Sequence, residues 1–246
     1  MTTIVTGGTK GIGLAIAERL AAPGERVILG YHGDDAAAEA ARERVAQKAG
    51  AAQTVRADVG TIDGAAKLIE AAGAPDGPLR LIHSAAMIYP TSLLEADLER
   101  FTQAVITNGL SLLYLVRAAL PVMERGSSVV FISSAGARTA NPNYGALGTG
   151  KALAESIIRY LAPELAPRGV RINAVAPGLV ATSSVAAMVG GQEAADRLFE
   201  RAARANPSGR LTADDDYAAM VEYLVSPVAE FVQGQVIHVN GGAWVG

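Results

Sequence analysis

Three side chains in the second half of the chain could share one reaction: Ser134, Tyr144 and Lys151, in a run that reads Ser133-Ser134-Ala135-Gly136, then Asn141-Pro142-Asn143-Tyr144-Gly145, then Gly150-Lys151. A phenol with an ordinary pKa of about 10 can give up a proton, and a lysine supplies the positive potential that eases its ionisation. Spacing decides how they cooperate. Two residues four apart on a helix sit on one face, about 6 Å apart along the axis, whereas seven residues would span ~10.5 Å. Tyr144 precedes Lys151 by seven residues, and Asn143, Gly145 and Gly148 make a long regular helix there unfavourable, so Tyr144 is expected on the turn before the lysine's helix. A tyrosine in such a turn also serves simply as a packed aromatic, and an early helical lysine is often solvated. Ser134 reads equally well as a substrate-orienting hydroxyl or a hydrogen-bonded strand end, and Ser133 reads as structural.

Composition narrows the chemistry to hydroxyls, lysine and backbone. The chain has no cysteine, and its three histidines (His32, His83, His238) are too scattered to suggest a metal cage. With 21 basic against 24 acidic residues and a formal charge of -3, it carries no basic stripe for nucleic acid. No apolar run approaches the ~20 residues that span a bilayer, and the sequence opens directly on a strand-like segment, so neither membrane nor export is expected and a cytoplasmic location is.

The elements that must position these groups follow from patterning. Apolar, strand-like runs at 2–6, 26–31, 52–57, 79–84, 128–133, 170–176 and 235–239 alternate with longer helical segments. That alternation predicts an α/β fold in one domain, 1–246, with a doubly wound parallel sheet covered by helices on both faces. Asp34 or Asp35 can cap the second helix, which ends near Gly50. The segment 182–210, after the sixth strand, would lie at the carboxyl edge of the sheet, either covering a substrate or forming an ordinary surface excursion.

Thr6-Gly7-Gly8-Thr9-Lys10-Gly11-Ile12-Gly13 follows the first strand and opens a helix. Glycines there permit a tight turn and close approach of backbone N–H groups, and the helix N-terminus sets positive potential against a pyrophosphate. This is the context of a Rossmann-type dinucleotide site, with Gly7, Thr9, Lys10, Gly11, Ile12 and Gly13 as its contacts. It assigns dinucleotide binding to about 1–125, and catalysis and substrate binding to about 126–246.

The same Thr-Gly-x-x-x-Gly-x-Gly pattern resembles the short-chain dehydrogenase/reductases, over essentially the whole chain. The resemblance implies that Asp58 and Val59 contact the adenine, that the backbone of Ser84 and Ala85 lines the adenosine side, and that Pro177, Gly178 and Thr182 anchor the nicotinamide carboxamide. It matches Asn108 to the asparagine whose carbonyl region holds a water beside the catalytic lysine. His83 stands where the family usually carries Asn, and is expected to be a packed or surface histidine without a side-chain role. Most of the family places a tyrosine four residues before the lysine. Leu147 occupies that place here, while Ser134 keeps its usual separation from Lys151. The Tyr-x6-Lys spacing resembles the enoyl-thioester reductase branch. It implies hydride transfer to a C=C bond of a carrier-linked acyl substrate, Tyr144 bonding the developing enolate and Lys151 the nicotinamide ribose; the alternative is a carbonyl reductase with a relocated proton donor. Tyr89 is a spare hydroxyl near the same edge, expected to line the substrate pocket. Homo-oligomerisation, as dimer or tetramer, is implied by the resemblance.

The cofactor preference is argued from charge. NAD users of this fold end the second strand with an acid that repels a 2′-phosphate. Here the strand ends at Tyr31 and His32, and Lys10 sits in the glycine loop where a cation can meet phosphate, so NADP(H) is expected over NAD(H).

Overall fold

The computed structural model describes residues 1–245. Seven parallel strands form one sheet: β1 (Thr2–Thr6), β2 (Arg26–Tyr31), β3 (Ala51–Arg56), β4 (Leu79–His83), β5 (Ser128–Ile132), β6 (Arg171–Pro177) and β7 (Val236–Val239), in the order β3-β2-β1-β4-β5-β6-β7. The order reverses between β1 and β4, the place where a doubly wound sheet opens a crevice at its carboxyl edge. In register, Thr6 stands beside Gly30 on one side and His83 on the other.

Burial on both faces explains the continuous apolar strands. Ile4, Leu81 and Phe131 point into one core layer, shared with Leu112, Leu115 and Ile158. Their neighbours Val5, Ile82 and Val130 point into the other, shared with Ile16, Tyr217 and Val221. The first layer is closed by α3 (Ile62–Glu70), α5 (Ser111–Ala119) and α6 (Gly145–Leu165); the second by α1 (Gly11–Leu20), α2 (Asp35–Ala49) and α9 (Asp214–Val225). Helix α2 is held as expected: Asp34 accepts from Ala37 N at 3.0 Å, and Gly50 turns left-handed at its end.

Three features depart from the sequence reading or add to it. Helix α4 (Leu98–Val105) runs through a π turn (Ile106–Leu110) into α5, so Leu98–Val122 is one helical run of 25 residues, apolar and long enough to cross a bilayer by length and composition. Its apolar content has another account, because Ala104, Leu112, Leu115 and Ala119 are buried in the protein's own core layers. Helix α6 begins immediately after Tyr144 and runs for 21 residues despite Gly145, Gly148 and Gly150. Those glycines allow close packing: a Cβ on Gly150 would stand 2.6 Å from Asn108 Cβ, so α6 and the π turn meet backbone to backbone. Finally, 182–210 contains two helices, α7 (Ser183–Val189) and α8 (Gln192–Ala205), joined by Gly190 and Gly191 and packed chiefly on each other.

Candidate active site

The glycine loop has the shape a dinucleotide needs. Gly7 has φ +61°, and a Cβ there would stand 2.9 Å from the Ala85 backbone. A Cβ on Gly13 would fall 2.2 Å from Gly7 O, so α1 starts in direct contact with the loop and its N-terminus faces the crevice. Gly11 lies against Thr182, within 3.4 Å of its Cγ2 for an added Cβ, which joins the glycine loop to the segment after β6. The loop and its surroundings fit a pyrophosphate: a side chain at Gly7 would strike the Ala85 backbone and one at Gly13 would strike Gly7 O, so the loop keeps this shape, with backbone N–H groups open to a ligand, only with glycine at both. Gly178 is pinned beneath by its N–H to Val239 O at 2.9 Å, and Asp58 Oδ1 accepts from Gly60 N at 2.9 Å, shaping the turn where adenine is expected.

His83 proves to be a fully buried hub, a role sequence reasoning missed. Ser111 Oγ donates to Thr107 O at 2.7 Å, which leaves it to accept from His83 Nε2 at 2.7 Å. His83 Nδ1 then accepts from Thr6 Oγ1 at 2.7 Å, and Thr6 Oγ1 accepts from Ser84 N and Ala85 N at 3.1 and 3.0 Å. Every hydroxyl and ring nitrogen in this Thr6–His83–Ser111 relay is satisfied by one tautomer. Burial pulls the imidazole pKa down to about 3, so the ring stays neutral. The strand end, the glycine loop and the π turn are thereby tied together.

The reactive side chains meet one strand farther along. Strand β5 delivers Ser133 and Ser134, and Ala135–Ala137 forms a single 3-10 turn capped by Ser134 Oγ, which accepts from Gly136 N at 3.1 Å. Tyr144 sits at the N-cap of α6, on the turn expected for it, and its hydroxyl donates to Ser134 Oγ at 3.1 Å. Its ring lies over Gly136, where a Cβ would come within 2.4 Å of Cε1. With two donors directed at its oxygen, Ser134 has its own proton to offer elsewhere. Burial raises the Tyr144 pKa, and the bond to Ser134 offsets part of that.

Lys151, nearly two turns into α6, is also buried; Nζ donates to Ile132 O at 2.7 Å and lies 4.5 Å from the Phe131 ring centroid. Desolvation brings its pKa down to about 7. Asn108 clamps the loop after β4 from the π turn: Oδ1 accepts from Met87 N at 2.8 Å and Nδ2 donates to Met87 O at 2.9 Å. Ser134, Tyr144, Lys151 and Asn108 therefore gather at one end of the sheet, next to the glycine loop. Leu147 is buried and offers no group to the site.

One expectation requires correction, and the Lys10 rim gains partners that sequence reading did not name. Tyr89 is not a spare hydroxyl: the ring is buried beside Ala104 and Ala146, Arg100 stacks on it at 4.4 Å, and its oxygen accepts from Asp97 N at 2.9 Å. Lys10 is ion-paired with Asp34, the residue that also caps α2. Nearby, Tyr31 donates to Asp35 at 2.8 Å, while Arg56 donates to His32 O at 3.1 Å and lies 3.6 Å from Asp35. Arg56 is a second cation at this rim, hidden from sequence reading because it ends β3, 24 residues from His32.

A glycine-loop sheet with a neighbouring Ser, Tyr and Lys defines a nicotinamide-dependent oxidoreductase of Rossmann type. More narrowly, the chain belongs to the short-chain dehydrogenase/reductase family: residues 7–243 match a family model described as enoyl-(acyl carrier protein) reductase. An L-rhamnose 1-dehydrogenase (NAD(P)(+)) from Azotobacter vinelandii is 34% identical over 251 residues, covering 99% of this chain and 96% of that protein. The 3-oxoacyl-(acyl-carrier-protein) reductase FabG of Staphylococcus aureus is 30% identical over 247 residues, covering 99% and 98%. Among solved structures, the angucycline C-6 ketoreductase LanV with bound NADP matches with a TM-score of 0.88 at 28% identity, covering 100% of this chain and 96% of that one. Pseudomonas aeruginosa RhlG with NADP matches at 0.85 and 25% identity, covering 98% and 95%.

Proposed function

We propose that this protein is an NADP(H)-preferring carbonyl reductase acting on a 3-oxoacyl thioester or a related polyketide-type ketone. The observation that carries this reading is the 3.1 Å hydrogen bond from Tyr144 to Ser134, which puts two hydroxyls at one point even though the tyrosine lies seven residues before Lys151. A ketone develops negative charge on the oxygen of the attacked carbon, and a pair of hydroxyls is suited to bind that oxygen and protonate it. The bound nicotinamide supplies the hydride. Ser134 orients the carbonyl oxygen with its free proton, Tyr144 gives its proton to that oxygen, and the Lys151 cation stabilises the phenolate left behind and binds ribose hydroxyls. Lys10 and Arg56 are the cations available to a 2′-phosphate. The relatives named for ketone reduction, and the neighbours holding NADP, support both parts of the reading. On it, the enzyme works in the cytoplasm as a homo-oligomer, with 182–210 closing over substrate.

A second reading is reduction of an enoyl thioester, favoured by Leu147 in the usual tyrosine position and by the description of the matching family model. Hydride would then go to Cβ and charge would appear on the thioester oxygen, two carbons away, where a displaced phenol is appropriate. Steady-state assays following NADPH absorbance with paired acetoacetyl-type and crotonyl-type thioesters separate the two. Faster turnover of the acetoacetyl substrate is expected; preference for the crotonyl substrate would establish the second reading instead.

A further inference from the structure

A buried carboxylate lies directly behind the reactive loop. Glu155, one helical turn beyond Lys151 on α6, is 3% exposed. Its Oε1 accepts from Ser133 Oγ at 2.6 Å, and its Oε2 accepts from Arg138 Nε at 3.0 Å. Ser133 and Arg138 bracket the capped turn that carries Ser134, so a single carboxylate holds both ends of that turn against α6. The outer face of the Arg138 guanidinium lies 5.9 Å from the Trp244 ring, which in turn packs on His238 of β7 at 4.3 Å. Trp244 is itself fixed by Asn240 Nδ2, which donates to its carbonyl at 2.9 Å.

A buried carboxylate is costly unless paired and hydrogen-bonded, and both partners here come from the loop that has to be held still. We propose that Glu155 is a positioning residue that sets the Ser134 hydroxyl against Tyr144, and that Arg138 and Trp244 couple this setting to the seating of the C-terminal tail. The proposal rests on the reading of Ser134 as the oxygen-orienting hydroxyl. Displacement of that hydroxyl by a fraction of an ångström weakens the transition state, while the glycine loop, on different strands, is untouched.

The test is a double-mutant cycle on the intact protein with Ser134→Ala, Arg138→Met and their combination, recording kcat and the KM for NADPH on the preferred thioester. Arg138→Met is expected to lower kcat roughly tenfold, the scale of a modest misplacement of a reacting group, with the NADPH KM changed less than about twofold. In the Ser134→Ala background it should add nothing, since coupled residues are non-additive. The protein has a single tryptophan, so emission from Trp244 reports whether the tail remains seated, and it should shift in Arg138→Met. Trp244→Leu, at the half-buried outer end of the array, provides a milder variant and should show the same split between kcat and KM. Independent, multiplicative losses would overturn the proposal while leaving Ser134 in the site, as would unchanged kcat in folded Arg138→Met and Trp244→Leu. A silent Ser134→Ala would instead overturn the reading of the site, and this inference with it.

Discussion

Two hydrogen-bonded arrays stand side by side at the carboxyl edge of the sheet, and they are built on opposite terms. In the Thr6–His83–Ser111 chain each hydroxyl proton and ring nitrogen is committed to a protein partner, and burial holds the histidine neutral. In the Ser134–Tyr144–Lys151 array the serine accepts twice and retains a donor, while the lysine is desolvated with only a carbonyl and an aromatic face for company. A closed array makes a rigid platform; an open one leaves groups whose protonation responds to what binds. Titratable residues of similar burial thus take different parts according to whether their hydrogen bonds are already made.

The comparison breaks most visibly at Tyr144. Tyr144→Phe should lower kcat by roughly 10²-fold, the scale for loss of a positioned acid or oxyanion donor, with NADPH binding little changed. Full activity in that variant would remove the tyrosine from the reaction. Adding Leu147→Tyr sharpens the result, because it places a phenol one turn from Lys151. Ketone reduction should partly return, and enoyl reduction should not.

Lys151→Met comes next, with losses in both cofactor affinity and turnover. It also carries a pH signature. A lysine whose pKa is about 7 when folded and near 10.5 when unfolded binds fewer protons in the native state between those values. Stability of the cofactor-free protein from this group therefore rises with pH from about 7 to about 10. Thermal melts across that window should show an upward slope in the wild type that flattens in Lys151→Met; equal slopes would mean that the lysine is not desolvated in solution.

His83→Ala should act in the opposite manner, destabilising the fold by about 1–3 kcal/mol, the cost of leaving buried partners unsatisfied, with kcat largely retained at permissive temperature. A collapse in kcat without loss of stability would make the histidine part of the reaction. The smallest effect is expected at the rim. Asp34→Asn keeps the helix cap but releases Lys10, and should lower the NADPH KM by a few-fold through the freed charge while leaving NADH unchanged. A parallel change with both cofactors would exclude the lysine from 2′-phosphate recognition.

What the sequence disclosed and what it concealed divide along the range of the interactions. The strands were legible to within a residue because each is a short apolar run buried on both faces, and the glycine loop because its residues are consecutive. Tyr144 lies on the turn before α6 as its sequence context implies, through Asn143 with its left-handed φ of +58°, whereas the glycines expected to disfavour a long helix lie inside one. The role of His83 was not legible, since its partners lie 77 and 28 residues away. Neither was the engagement of Lys10 by Asp34, nor that of Arg138 by Glu155, as both pairs form only after the chain has folded back on itself. The π turn left no local signal; it lies where Gly109 and Gly150, far apart in sequence, bring it against α6.

The paired helices α7 and α8 have the attributes of an exchangeable cassette. They make few contacts with the sheet layers, turn on two glycines with φ of +87° and +138°, and are moored at their exit by Asn206 and Ser208, which donate to Asn240 O and Gly241 O at 2.9 Å each. On the proposed reading, in which 182–210 covers the substrate, replacing such a unit between those moorings would alter which molecules fit the crevice without disturbing either core layer. Divergence in substrate range could then accumulate there at little expense in foldability, which would make 182–210 the natural graft point for redirecting the enzyme to another substrate.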